Sequence, residues 1–166
     1  MNLPKTIALL LSAGALLHAP HVHAQVDLLA ELRGNIRPMF TDEAVCDRLY
    51  TRITTEKLGN EPLQQGYLGV LTMAKGTHKI NPFSRLGTFN DGRDILEAAI
   101  VTAPNSVELR FLRFAIQVNV PSILGYGEER KTDKSFIEAR LHEVHDETMR
   151  KRMIEFIARA VAQGKV

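Results

Sequence analysis

Pro104-Asn-Ser-Val-Glu-Leu-Arg-Phe-Leu-Arg-Phe-Ala-Ile-Gln-Val-Asn-Val-Pro-Ser-Ile-Leu-Gly-Tyr126 decides the fold. Pro104 and Asn105 break the preceding segment, and Asn105 or Ser106 can accept an orphan N–H as an N-cap. Glu108 falls in the first turn, where the helix dipole favours a carboxylate. Val107, Leu109, Phe111, Leu112, Phe114, Ala115, Ile116 and Val118 then make the helix apolar almost all round. Such a helix is buried on most sides. Arg110, Arg113 and Gln117 form its one polar stripe, at spacings of three and four, and Pro121 stops it. The expectation is a central helix in a small all-α domain.

The chain has 166 residues and a formal net charge of +2. That length suits one domain with a sizeable core. So small a net charge does not point to nucleic acid or an anionic membrane. With no Trp and few aromatics, a stacking surface for single strands is not expected either.

Residues 1–24 read as a signal peptide. Lys5 supplies a positive start, Ile7 to Leu17 an apolar core too short to span a bilayer, and Val22-His-Ala24 a cleavage site. Cleavage is expected between Ala24 and Gln25. The mature chain is then a single α-helical domain, residues 25–166, with no transmembrane span, periplasmic or extracellular after export. Cys46 is the lone cysteine, so no intramolecular disulfide forms. Its helical setting suggests a buried core thiol.

Helical periodicity recurs along the whole chain, and no stretch alternates with period two. A short helix is expected over 27–34. The next has Thr41 as its cap, and a third runs from Pro62 to about Lys75, closed by Gly76. Lys79 to Leu86 reads as a connection containing Asn81-Pro82. Helix resumes over Thr88–Thr102. Beyond the central helix, Thr132 is expected to cap a helix carrying Phe136 and Ile137. The last helix begins near Asp146 and carries Met149, Met153, Phe156 and Ile157. Gly66, Gly69 and Gly92 each cost about 1 kcal/mol relative to Ala inside a helix. Close approach of a neighbouring helix is the expected compensation.

Gly92, Leu96, Ala99 and Pro104, at spacings of 4, 3 and 5, resemble the second helix of a tetratricopeptide unit, with Gly69 as the small residue of the first. The resemblance implies antiparallel helix pairs stacked as a short right-handed array. The Trp-Leu-Gly-Tyr signature of that family is absent, and the Gly76–Thr88 connection reads as longer than its tight turn. Asn81-Pro82, the central helix, and Asn119-x-Pro121-Ser-x-Leu-Gly-Tyr126 also resemble a group of uncharacterised secreted bacterial proteins. That likeness implies no activity, but it groups Arg110, Arg113, Pro121 and Tyr126.

Two arginines inside an apolar helix need partners. Carboxylates of flanking helices, such as Glu97 or Asp133, can lock them into the bundle. Alternatively, the pair forms a fork for a carboxylate or phosphate in a groove, with Arg110, Arg113, Gln117, Asn119 and Tyr126 as the binding residues. His142 and His145 stand three apart at an expected helix boundary, unlike the four-residue spacing of zinc proteases, and read as solvated. No catalytic residue, cofactor or metal is expected from the sequence. Two functions remain open: an exported interaction module binding a peptide or envelope-protein segment, or a small anionic-ligand binder or enzyme built on Arg110 and Arg113.

Overall fold

The computed structural model describes residues 28–166, and every regular element among them is helical. The expected signal peptide and the Ala24–Gln25 cleavage site lie outside the described residues. The helices are α1 (28–34), α2 (Pro38–Thr41), α3 (Glu43–Thr55), α4 (Glu61–Thr77), α5 (Pro82–Thr102), α6 (Val107–Asn119), α7 (Arg130–Arg140) and α8 (Glu147–Ala162). Short 3-10 turns, Ser122–Leu124 and Leu141–Glu143, follow α6 and α7. None of the described helices is long and apolar enough to cross a membrane.

Side-chain capping starts most of these helices. Asp42, Asn60, Asn81, Ser106 and Asp146 each accept a backbone N–H of the first turn, satisfying donors that the helix itself cannot. Thr41 is not the cap of α3. It belongs to α2, and Asp42 takes the role, accepting from the Val45 N–H at 3.1 Å. Thr132 likewise lies within α7, which begins at Arg130 without a side-chain cap.

The largest departure from expectation concerns α5. It begins at Pro82, so Ser84–Leu86 are helical rather than part of a loop. Asn81 accepts the N–H groups of Phe83 and Ser84, and Pro82 occupies the first turn, where its missing N–H costs nothing. The connection to α4 is consequently short.

Helices α4 and α5 run antiparallel at backbone contact. A Cβ on Gly69 would stand 2.7 Å from the Gly92 carbonyl oxygen, and one on Gly92 would stand 2.5 Å from that of Gly69. Farther along, a Cβ on Gly76 would meet the Arg85 carbonyl at 3.1 Å. Gly76 is thus a contact inside α4 rather than its terminator. Helix α3 also lies antiparallel to α4: Cys46 Sγ faces the Leu71 carbonyl at 3.8 Å, while Gln64 Nε2 donates to that of Ile53 at 2.8 Å.

Helix α6 joins two apolar clusters. Leu109, Leu112 and Ile116 pack with α1–α5, whereas Phe111, Phe114 and Val118 pack with α7 and α8. Ten of its residues are buried, as its composition requires. Phe156 of α8 sits edge-on to both Phe111 and Phe114, at 5.5 and 5.9 Å between centroids. Helix α6 ends at Asn119 because Val120 is extended, the conformation favoured before a proline.

Candidate functional site

Arg113 is 5% exposed and Asp133, on α7, is fully buried. The guanidinium donates from Nε to Asp133 Oδ2 and from Nη2 to Asp133 Oδ1, both at 2.7 Å, and from Nη1 to Glu97 Oε2 at 2.7 Å. Burial works against the Arg113 charge, but the bonds to Asp133 and then Glu97 outweigh it and raise its pKa. Tyr126 donates its hydroxyl to Glu97. Burial, reinforced by that bond, pushes the phenol well above its ordinary pKa. Arg110 reaches Asp133 at 3.3 Å and covers the Phe136 ring at 5.1 Å.

Arg110, Arg113 and Tyr126 therefore converge, together with Glu97 and Asp133. The other two candidate residues do not join them. Gln117 is 3% exposed, so it reaches no open groove, and its Oε1 has no hydrogen-bond partner among the described residues. Asn119 is exposed and turns back on the Ala115 carbonyl.

Cys46 is buried, and desolvation pushes its thiol up to about 11, which suits an inert core residue. His142 and His145 are exposed beyond the end of α7. Among the described residues, no group of three or more His, Cys, Asp or Glu side chains is placed to hold a metal.

A second ion cluster has no clear mark in the sequence. Arg33 on α1 grips Glu108 with two bonds, Nε to Oε1 at 2.8 Å and Nη2 to Oε2 at 2.6 Å. It also donates to Asp146, the cap of α8, at 2.7 Å. The buried Tyr67 hydroxyl donates to Glu108 Oε1 at 2.7 Å. One carboxylate near the start of α6 thereby ties it to α1 and α4, and the same arginine reaches α8.

On the other side of α6 from its arginines lies a groove of about 1060 Å³. Three helices each give it one stripe. Pro82, Arg85, Leu86 and Phe89 of α5 stand at helical spacing, as do Met149, Arg152, Phe156 and Arg159 of α8. Phe111, Ala115 and Val118 of α6 form the floor, and the turn carrying Ile36 and Arg37 closes one end with Phe40 of α2. Thr77 and His78 bond to the Phe40 and Met39 carbonyls and hold α2 in place. The apolar lip is open: Leu86 is 46% and Ile123 91% exposed.

Of the five candidate binding residues only Asn119 lines this groove, and Pro121, grouped with the arginines in the sequence, lines it too rather than joining them. The detectable signal was the α5 stripe, which becomes visible once Asn81-Pro82 is taken as a helix start. Compared with protein-family models, curated proteins and solved structures, the chain gives no match.

Proposed function

We propose that this chain is a helical interaction module, a tetratricopeptide-like stack of antiparallel pairs that binds a short segment of a partner protein. The carrying observation is the groove of about 1060 Å³, with an apolar floor and an exposed apolar lip. A helix about 10 Å across fills that volume with about two to three turns, and small-molecule sites are mostly smaller, about 300–1,000 Å³. An amphipathic helix laid in a groove is an established mode of segment recognition. The Gly69–Gly92 contact and Pro104 at the α5–α6 junction support the tetratricopeptide-like arrangement. Export belongs to the same proposal, supported by the composition of residues 1–24, and would place the partner in the cell envelope or outside it.

An anionic ligand at Arg110 and Arg113 would have to displace Asp133 and Glu97 from bonds already made, so the groove is preferred.

The test is selection from a displayed random library of peptides about 16 residues long. Enriched peptides should bind the parent and lose at least about tenfold in affinity, about 1.4 kcal/mol, with the Leu86→Asp, Ile123→Asp double variant. Both side chains are exposed, so the melting temperature should hold. Equal binding to both proteins, or no enrichment at all, would overturn the proposal.

A further inference from the structure

The charged side chains that line the groove all have one sign. Arg33, Arg37, Arg85, Arg152, Arg159 and Lys165 line it, and no Asp or Glu does. The chain as a whole is nearly balanced, with 21 basic and 19 acidic residues, so six charges drawn without regard to sign would include about three carboxylates. Some of the cations are already engaged. Arg33 is held by Glu108 and Asp146, Arg159 lies 3.9 Å from Glu155, and Lys165 approaches Asn119. Arg37, Arg85 and Arg152 are exposed and have no ion-pair partner among the described residues. Arg152 only lowers the Asp146 pKa from a distance.

We infer that the segment bound in the groove is an acidic amphipathic helix, its apolar side on the floor and its carboxylates along the rim. This rests on the groove being a segment-binding site. The free cations come from three separate elements: the turn before α2, α5 and α8. Arg159, paired with Glu155, extends the basic rim a further seven residues, about 10 Å, along α8 from Arg152. A single lipid headgroup concentrates its charge at one point. A helix with Glu repeating every three or four residues spreads charge along its length, as the rim does. Rim charges contribute little each but set partner choice and the rate of encounter.

The test uses three labelled synthetic helices about 16 residues long. They share one Leu-rich apolar face and carry Glu, Gln or Lys at the polar positions. Fluorescence anisotropy gives their affinities for the full chain, beside co-sedimentation with vesicles of phosphatidylglycerol and phosphatidylcholine. The Glu helix should bind about tenfold tighter than the Gln helix, and the Lys helix weakest, with the gap closing at high salt. The Arg37→Glu, Arg85→Glu variant should lose most of the preference for the Glu helix over the Lys helix. Equal affinity of the Glu and Gln helices would overturn the acidic partner and leave the groove intact. Failure of all three helices to bind would overturn both, and vesicle binding in that case would point to a membrane surface.

Discussion

Arg113 and Asp133 form a two-bond fork with both contacts at 2.7 Å, and the carboxylate has no solvent exposure. The fork joins α6 to α7 across the connection formed by residues 120–129. It also fixes Arg113 so that its third nitrogen meets Glu97 of α5. A charge taken fully out of water depends on such partners.

Arg113→Met should therefore cost about 3–5 kcal/mol, because it leaves the buried Asp133 carboxylate with only the longer contact to Arg110. Arg113→Met combined with Asp133→Leu should recover most of that loss. Arg110→Met, at a more exposed and longer contact, should cost about 1 kcal/mol or less. Urea unfolding of the four proteins measures this. Arg113→Met as stable as the parent would contradict the locking role.

The α4–α5 contact predicts opposite signs for two glycines of one helix. Gly92→Ala places a methyl against the Gly69 carbonyl and should destabilise by about 1–3 kcal/mol through overpacking. Gly87→Ala adds a methyl with nothing within 4 Å and should stabilise by about 0.5–1 kcal/mol. Ala99→Leu, at a site 3% exposed, should behave like Gly92→Ala. Thermal denaturation separates the cases, and equal midpoints for the two glycine variants would refute the close approach.

Asp146 caps α8, and its pKa is lowered, first by the Met149 N–H and also by Arg33. A lowered native pKa adds stability that is full above the unfolded aspartate value of about 3.9 and fades as pH falls through the native value. Asp146→Ala should cost about 1 kcal/mol near neutrality. The difference from the parent should shrink as urea titrations move from about pH 5 to about pH 2. A gap that stays constant over that range would argue against an ionised cap.

Cys46, buried with its thiol pushed up to about 11, should resist iodoacetamide at neutral pH in the folded chain. Rapid labelling should appear only in urea, since the thiolate is the nucleophile. Stoichiometric labelling of the native protein, followed by mass, would contradict its burial.

Helix α6 was legible because its apolar residues recur on every side. Its partners Glu97 and Asp133 were nameable because they sit on the neighbouring helices in sequence. The start of α5 was not, since Asn followed by Pro serves a turn and a helix start equally well. The Arg33–Glu108 bond joins residues 75 positions apart, and no periodicity marks such a pair. The groove is assembled from stripes on α5, α6 and α8, each of which alone looks like ordinary core pattern. Its charge bias exists only once the stripes face one another.

The most direct test of where the partner binds is the change in backbone amide shifts when the Glu helix is added to the isotope-labelled chain. The shifts should cluster at residues 36–41, 85–89, 119–124 and 152–160, the walls of the groove. Shifts centred instead on Glu97, Arg110, Arg113 and Tyr126 would contradict it and restore the arginine pair as the binding site.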